Sequence, residues 1–301
     1  MLVQELTVKI IVDNTAIGGG FLAEAGFSAL AEVQYPDSTS QKILFDTGPS
    51  PVAFQHNVKM YEIDLGTLDA IVLSHGHWDH VGGLMEALGS INKDKDIPVI
   101  CHPQALVPKV FHGKEKEKDW GVGIQDFFSV EQLEKQAEII ATEKPYNIAD
   151  SKSVMTTGQV PMENEFEKHS GNLLKITTTK GEGTVQDPID DDLSLVFHLT
   201  DGSIVILAGC CHAGICNTTA LAANLTGSRK VNGIIGGLHL HDASDDRLAK
   251  TITTLQEYSI KKIGPCHCSG FRGKNALYGA FPDQFIDVGV PMDVKFESSI
   301  K

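Results

Sequence analysis

The feature that most constrains this chain is "IVLSHGHWDHVGGL" (71–84), in which three histidines and an aspartate follow a short apolar run. The apolar run is typical of a strand buried on both faces. Apolar residues then recur at helical spacing at Val81, Leu84, Met85 and Leu88, so the cluster lies on a strand-to-helix loop. Crowded imidazoles repel each other's protons. A metal ion therefore explains them better than a surface loop in which Asp79 only caps the helix.

The spacing within the cluster predicts two metal positions. Residues two apart in an extended loop point to the same side, so His75 and His77 can bind one cation. Asp79 and His80 lie past a bend and can face a second cation. Imidazole nitrogen with carboxylate oxygen suits zinc, and also iron or manganese. The expected cofactor is one or two divalent metal ions, zinc before the others.

The remaining ligands are expected at the ends of other strands, because a catalytic metal usually takes three protein ligands and one water. Three later histidines each follow a predicted strand: His212, His239 and His267. Taken together with the first cluster, His212 and His267 are predicted to be metal ligands. Three roles stay open for His239: a ligand, a residue that supports a ligand, or a substrate contact. The other six histidines have no comparable context and are interpreted as non-functional: His56, His102, His112, His169, His198 and His241.

Strands and helices alternate along both halves of the sequence. Predicted strands begin at Val8, Ser28, Gln41 and Asp69, and a later hairpin turns at Asp201-Gly202. This alternation predicts sheets covered by helices, in a single domain over residues 1–301.

The segment at about 105–192 is less regular and is predicted to be an insertion with a helix, loops and short strands. Its clearest element is a helix that begins with a capping box formed by Ser129 and Gln132 and reaches about Glu143. Four apolar residues would form the buried stripe of this helix: Val130, Leu133, Ala137 and Ile140.

Composition limits the partners of the protein. The formal net charge of the 301 residues is -14 at pH 7, which argues against a nucleic-acid backbone or an anionic membrane as partner. No apolar run reaches the length of a membrane span, and the N-terminal run is too short for a signal peptide. Cys210 adjoins Cys211, and Cys266 lies two residues from Cys268, which suits reduced thiols near a site. A cytoplasmic protein with a small-molecule substrate is expected.

Several motifs, in their order along the chain, resemble the metallo-β-lactamase superfamily: "AGFS", "LFDTG", "LSHGHWDHVGGL", "TTGQVP", "GCCHAGICN", "GGLHL" and "PCHCSG". Within it they look like the branch named for a dihydropterin–aminobenzene ribotide phosphate synthase. The resemblance implies an α/β fold, the αββα sandwich, in which two mixed sheets pack face to face between helices and the metal site lies at one edge. It implies six ligands for up to two metals: His75, His77, Asp79, His80, His212 and His267. Asp46 would hydrogen-bond to the histidine loop and fix its orientation.

One position departs from the superfamily pattern. Most dinuclear members place a bridging aspartate just after the strand-end glycine, where this chain has Cys210. No counterpart of the usual mid-chain Gly-His ligand is found between Ala105 and Asp192, and His212 is a candidate to replace it. Cys210 and Cys268 are predicted to lie around the ligands. One metal and two metals both stay open.

The chemistry of two bound cations favours a metal-dependent hydrolase that acts on a small, anionic or phosphorylated substrate. Two cations would lower the pKa of a shared water toward neutrality, so that it acts as hydroxide. Asp79 would orient this hydroxide, and His239 would donate a hydrogen bond to the developing oxyanion. Arg272 and Lys274, in "SGFRGKN", are predicted to hold a phosphate beside the site.

Two other functions stay open. A transferase, like the synthase that names the branch, would use the metals to stabilise a departing pyrophosphate and would not need hydroxide. A metal or redox sensor would use the clustered cysteines together with His212 and His267. The "HGHWDH" loop favours an enzyme over a sensor, since sensing does not require it.

Overall fold

The computed structural model describes residues 1–91, 97–113, 118–148, 152–169, 171–181 and 183–298. These residues form sixteen strands with the following bounds: Glu5–Val12 (β1), Ser28–Gln34 (β2), Ser40–Phe45 (β3), Ala70–Val72 (β4), Pro98–Cys101 (β5), Lys109–Phe111 (β6), Trp120–Gly121 (β7), Glu138–Ala141 (β8), Val154–Thr156 (β9), Ile176–Lys180 (β10), Gly183–Gln186 (β11), Ser194–His198 (β12), Ile204–Ala208 (β13), Val231–Gly237 (β14), Ile263–Cys266 (β15) and Met292–Glu297 (β16).

The same residues form seven α-helices with the following bounds: Pro51–Met60 (α1), Trp78–Val81 (α2), Leu84–Gly89 (α3), Val130–Glu134 (α4), Ile215–Thr226 (α5), Asp245–Leu255 (α6) and Gly270–Ala280 (α7). Within the described part of the chain, none of these helices has both the length and the apolar character needed to span a bilayer.

Two mixed sheets pack face to face at the centre of the fold. The first has the strand order β16-β1-β2-β3-β4-β5-β8 and the second has the order β15-β14-β13-β12-β9. Apolar side chains of both sheets fill the space between them, including Phe45 of the first and Phe197 of the second. Helices α1, α3 and α4 cover the outer face of the first sheet, and α5, α6 and α7 cover that of the second. The predicted αββα sandwich is confirmed.

The strands predicted in the first half and the later hairpin are confirmed. β12 and β13 pair antiparallel around the Asp201-Gly202 turn, where Gly202 has a φ of 76°. Runs of β-branched residues and a turn glycine were sufficient signals for these elements. Helices α1 and α7 and strand β16 have no counterpart among the predictions.

The prediction of a helix that begins at Ser129 and reaches about Glu143 is wrong after the first turn of the helix. The capping box of Ser129 and Gln132 is present, but α4 ends at Glu134. Residues 138–141 form β8 instead, which pairs in parallel with β5. Ile139 packs on the outer face of the sheet and Ile140 on the inner face. The side chains thus alternate as in a strand, and backbone pairing at the sheet edge outweighs a weak helical spacing.

The segment at about 105–192 consists of two structural parts. Strands β8 and β9 complete edges of the two main sheets, so their residues belong to the sandwich. The other strands form a separate antiparallel sheet in the order β11-β10-β6-β7. A small apolar cluster supports this sheet and contains Val122, Leu173, Ile176 and Ile189. The described residues here contain more strand than helix, and the description of the segment as an insertion stays a prediction.

The fold brings the ends of five strands to one edge of the sandwich. In the first sheet β3 and β4 are parallel, and in the second β13, β14 and β15 are parallel. Parallel strands end at the same edge of a sheet. The residues that follow these five ends are, in chain order, Asp46, His75, His212, His239 and His267.

Candidate metal centre

Asp46 fixes the tautomers of two histidines in the loop after β4. Its buried carboxylate accepts hydrogen bonds from the backbone N–H and the hydroxyl of Ser74, each at 2.7 Å. It also lies 2.7 Å from Nδ1 of His80, which must carry the proton because a carboxylate only accepts. The Ser74 hydroxyl donates to Asp46 and therefore accepts from Nδ1 of His75 at 2.9 Å. In their neutral form both rings therefore present Nε2 as the free acceptor. The sequence analysis predicts such hydrogen bonds between Asp46 and the histidine loop.

Two further histidines place unpartnered nitrogens beside these rings. Nε2 of His77 and Nδ1 of His212 are buried and have no hydrogen-bond partner among the described residues. Nε2 of His212 lies 3.2 Å from Nε2 of His75, and the ring centres of His75 and His77 are 4.5 Å apart. Buried polar atoms normally have a partner. A cation between the three rings would provide one for Nε2 of His77, and it would bind His212 through Nε2.

His267 is held by the loop that follows β1. Its backbone N–H donates to Oδ2 of Asp13 at 2.8 Å, and its Nδ1 lies 2.8 Å from Oδ1 of Asn14. Oδ1 of Asn14 also accepts from the backbone N–H of Gly26 at 3.1 Å, which identifies it as the carbonyl oxygen. Nδ1 of His267 therefore carries the proton, and Nε2 is left free to coordinate a metal.

Asp79 and Cys210 bring a carboxylate and a thiol to these free nitrogens. Oδ2 of Asp79 lies 3.4 Å from Nε2 of His267 and 3.8 Å from Nε2 of His80. Sγ of Cys210 lies 3.2 Å and 3.3 Å from the same two nitrogens. The thiol is also within 4.8 Å of donor atoms of His75 and His212, which form a first group of potential ligands together with His77. Cys210 thus lies between two groups of potential ligands, closer to the centre than the sequence predicted.

Burial keeps most of these imidazoles neutral. It lowers the pKa of His77 to about 3. Burial, followed by the charges of neighbouring histidines, lowers the pKa of His75, His212 and His267 well below the usual value. A neutral imidazole with a free lone pair is the form that binds a metal.

His80 differs from the other rings because two carboxylates face it. Burial opposes its charged form, but Asp79 and Asp46 outweigh burial and raise the pKa of His80 to about 9. Burial also raises the pKa of Asp79. Metal binding at these two residues would therefore release a proton.

The donor set fits divalent metal ions. It combines imidazole nitrogens, one carboxylate and one thiol, which are the ligands that zinc prefers. The nitrogens and the carboxylate also suit iron or manganese. The unpartnered Nε2 of His77 is the strongest sign that the cluster takes a cation, because a cluster that served only to fill space would leave this buried atom unsatisfied at a cost.

A buried ion triad ties the histidine loop to the separate sheet. Nζ of Lys109, on β6, lies 2.7 Å from Asp187 and 3.3 Å from Asp191. The other oxygen of Asp191 accepts from the backbone N–H of Gly76 at 2.8 Å. A Cβ at Gly76 would lie 2.2 Å from the carbonyl oxygen of Ala105, so only glycine permits this approach. The separate sheet therefore helps to set the path of the loop that carries His75 and His77.

Backbone strain is concentrated around the centre. Asp46 and Cys211 have a φ of 56°, and His239 and His267 have a φ of 46°. Left-handed conformations are unfavourable for residues with a Cβ and persist where the surrounding structure requires them, often at functional sites.

His239 lies beside the first group of ligands. Its ring centre is 4.5 Å from that of His212, and its buried Nδ1 has no partner among the described residues. Sγ of Cys268 accepts a hydrogen bond from its backbone N–H at 3.3 Å. The three roles predicted for His239 all remain predictions. Cys268 lies beside Cys210 and His239, and its role near the ligands also stays a prediction.

The two cations predicted to hold a phosphate are already paired. Arg272 donates to the carbonyl oxygen of Ala243 at 2.9 Å and forms an ion pair with Asp245. Nζ of Lys274 lies 2.6 Å from Asp287. Neither side chain offers an unpaired charge, so phosphate binding by Arg272 and Lys274 stays a prediction that these ion pairs oppose.

Sequence reasoning missed several residues that the fold brings to the centre. Asp13 and Asn14 follow β1, and the rule that functional residues follow strand ends would have found them. His169, interpreted as non-functional, has a buried Nε2 without a partner among the described residues and acts electrostatically on His77 and His212. It follows a short 3-10 helix and not a strand, so that rule does not apply to it.

Fold and site together define the class of protein. The family model of the β-lactamase superfamily domain matches residues 41–172. The solved structure of a metal-dependent hydrolase of the β-lactamase superfamily superposes with a TM-score of 0.77, at 23% sequence identity, over 96% of this chain and 98% of that one. The chain belongs to the metallo-β-lactamase superfamily. Membership implies that it binds divalent metal ions, and the clustered ligands agree with this.

Two curated relatives are similar over nearly the whole chain. The 7,8-dihydropterin-6-methyl-4-(beta-D-ribofuranosyl)-aminobenzene-5'-phosphate synthase of Methanocaldococcus jannaschii is 29% identical over 94% of this chain and 94% of its own length. An uncharacterized protein of the same organism is 31% identical over 90% of this chain and 93% of its own length. A diphosphatase from the PhnP family shares the fold, with a TM-score of 0.52 at 13% identity over 99% of this chain and 100% of that one.

Proposed function

We propose that this protein is a metal-dependent hydrolase that acts on a small, anionic or phosphorylated substrate. The observation that carries the proposal is the convergence of free donor atoms from separate loops on one edge of the sandwich. Nε2 of His75 and His212 are 3.2 Å apart, and Oδ2 of Asp79 is 3.4 Å from Nε2 of His267. Membership of the superfamily supports an enzyme that uses divalent metals.

Two groups of residues would hold the metals. The first consists of His75, His77 and His212. The second consists of Asp79, His80 and His267. Cys210 lies within reach of both groups. Divalent ions bound there would lower the pKa of a nearby water toward neutrality and polarise the oxygen under attack.

Two side chains would act on the reacting atoms. The Asp79 side chain is 19% exposed, so its carboxylate can meet solvent and accept a hydrogen bond that orients the attacking water. His239 is neutral because burial, with the charges of His241 and Arg247, lowers its pKa to about 3. A neutral ring can donate one N–H to the negative charge that develops on the substrate oxygen.

Removal of the metals tests the proposal directly. We expect one class among phosphodiesters, lactones and thioesters to be hydrolysed by the purified protein. Turnover should disappear after full chelation and return when zinc, manganese or iron is added back. The His75→Ala variant should lose turnover, whereas His56→Ala should keep it, because the His56 ring is exposed on α1 and hydrogen-bonds to the carbonyl oxygen of Gly20. Hydrolysis that survives both chelation and His75→Ala contradicts the proposal.

A transferase is the second candidate, and the 29% identity to the dihydropterin-related synthase over 94% of the chain favours it. Its residues would bind a dihydropterin alcohol diphosphate and an aminobenzene ribotide, and pyrophosphate would leave. Pyrophosphate release that depends on the aryl amine would establish this activity. Hydrolysis that proceeds without any amine acceptor would favour the hydrolase.

Cys210 is expected to be a metal ligand shared by the two groups. Its replacement by alanine should reduce the number of bound metals by about one, because the thiol lies between the groups. In cobalt-loaded protein the near-ultraviolet sulfur-to-metal absorption should also disappear. The Cys210→Asp variant should restore the metal count without that absorption. Elemental analysis and absorption spectra are the measurements.

Cys211 is the matched control, since it is the adjacent buried cysteine and its Sγ faces Oγ1 of Thr218 at 3.2 Å. Cys211→Ala should leave metal content and absorption unchanged. Absorption that persists in Cys210→Asp but is lost in Cys268→Ser would identify Cys268 as the thiol ligand. Metal content that is unchanged in a Cys210→Ser, Cys268→Ser double variant would also remove the sensor function.

A further inference from the structure

We propose that Arg247, together with His169, forms a site that binds a phosphate group of the substrate beside the metal centre. The inference rests on the proposed function and narrows its substrate class to phosphorylated compounds.

Arg247 differs from the other arginines of the chain. The sequence has three, and Arg229 and Arg272 are partly exposed and paired with Glu257 and Asp245. Arg247 is only 7% exposed and its Nε is buried without a hydrogen-bond partner. No carboxylate in the described ranges of the chain lies within ion-pairing distance of its guanidinium group. A buried and unpaired charge is costly, so an anion from outside the chain is the partner that this group requires.

Two buried nitrogen atoms without partners lie on segments that pack together. They are Nε of Arg247 and Nε2 of His169, and neither has a hydrogen-bond partner among the described residues. Most buried polar atoms in proteins do have one. A phosphate group carries several acceptor oxygens and a negative charge, so it can accept from a guanidinium and from a neighbouring ring N–H group at once.

Helix packing places Arg247 near His169. Arg247 lies in the first turn of α6, and α6 packs against the short 3-10 helix that ends two residues before His169. The charge of Arg247 accordingly contributes, after burial, to the lowered pKa of His169. The loops that carry His169 and His239 approach each other, because a Cβ at Gly171 would lie 2.8 Å from Oδ2 of Asp242.

Acidic residues near the site do not neutralise Arg247. Asp187, which raises the pKa of His169, is paired with Nζ of Lys109 at 2.7 Å. Asp242 lies 4.0 Å from the ring of His241, on the exposed side of the loop. The positive charge of Arg247 is therefore available to a ligand.

The position suits a substrate group next to the reacting bond. The ring centre of His239 is 4.5 Å from that of His212 in the first ligand group and 4.9 Å from that of the exposed His241. His239 thus lies beside the metal centre, and the loop that follows it leads into α6, which carries Arg247. A phosphate held by Arg247 and His169 would fix the substrate with its scissile bond toward the centre.

Binding of inorganic phosphate to the metal-loaded protein, measured by calorimetry, tests the inference. Arg247→Met should weaken phosphate binding by roughly 10- to 100-fold, as expected for a lost charge-assisted interaction. Arg247→Lys should fall between, because it keeps the charge but loses the planar fork. Arg229→Met is the matched control and should bind phosphate like the wild type. Unchanged phosphate affinity in Arg247→Met would overturn the inference.

A stability measurement separates ligand binding from a structural role. Arg247→Met keeps most of the side-chain volume and removes the unpaired charge, so its urea midpoint should equal or exceed that of the wild type in the absence of phosphate. The increase in midpoint that phosphate causes in the wild type should be lost. A lower midpoint without phosphate would mean that Arg247 has a partner within the chain and would overturn the inference.

The two proposals can fail separately. If Arg247→Met weakens phosphate binding but no substrate class is hydrolysed, the hydrolase is wrong and the phosphate site stands. Suppose that hydrolysis depends on metal, but that phosphate affinity falls in Arg272→Met and not in Arg247→Met. The phosphate site then lies at Arg272, and the inference is wrong. Acetate that competes as well as phosphate would overturn the assignment to a phosphate group.

Discussion

Replacement of Asp79 by asparagine should lower kcat/KM for the hydrolysed substrate by roughly a thousandfold, and elemental analysis should show weaker metal binding. The carboxylate lies 3.4 Å from Nε2 of His267 and 3.8 Å from Nε2 of His80, so it both joins the second ligand group and faces the reacting atoms. An amide keeps the shape of the side chain but lacks the negative charge, and its NH2 group cannot accept a hydrogen bond from water.

The matched control for this variant is Asp246→Asn. Asp246 is exposed on α6 and pairs with Lys250 at 2.7 Å, so its replacement should leave kcat/KM and metal content unchanged. Turnover in Asp79→Asn within about threefold of the wild type, with a full complement of metal, would exclude Asp79 from both roles.

Replacement of Lys109 by methionine should reduce the free energy of unfolding by about 3–5 kcal/mol. Lys109 is buried and neutralises Asp187 and Asp191, which lie 2.7 Å and 3.3 Å from its Nζ. The variant would leave two carboxylates buried without a cation. Since Asp191 also accepts from Gly76 in the histidine loop, metal affinity should fall by roughly 10- to 100-fold as well. Urea denaturation and a metal titration are the measurements.

Lys250→Met is the control for surface lysines. Its ion pair with Asp246 is exposed, so the free energy of unfolding should change by less than about 0.5 kcal/mol. If Lys109→Met were as stable as this control, the triad would not hold the separate sheet to the histidine loop, and the link proposed between that sheet and the metal centre would fail.

The local sequence was sufficient to predict candidate ligands that lie within a few residues of one another. The spacing of His75 and His77 predicts shared coordination without knowledge of the fold, because an extended loop directs alternate side chains to one side. The rule that functional residues follow strand ends also led to the prediction of His212 and His267 as ligands. These positions could be predicted because β-strand patterns are strong and parallel strands end together.

Prediction failed where distant pairing decides the structure. Residues 138–141 have a spacing that fits a helix, yet they join the edge of the first sheet beside β5. His169 and Arg247 each lack any local signal. Their possible role becomes visible only when α6 packs against the 3-10 helix before His169. A sequence does not show which buried charges lack a partner.

The sequence by itself determined the class of the protein and most of the proposed ligands, since a run of imidazoles and a carboxylate at fixed spacing has few uses other than metal binding. Only the tertiary structure decided how these donors meet, which ring nitrogens Asp46, Ser74 and Asn14 leave free, and that Cys210 lies between the two groups. The physical reason is that tautomers and unpaired buried charges depend on contacts between residues far apart in the chain.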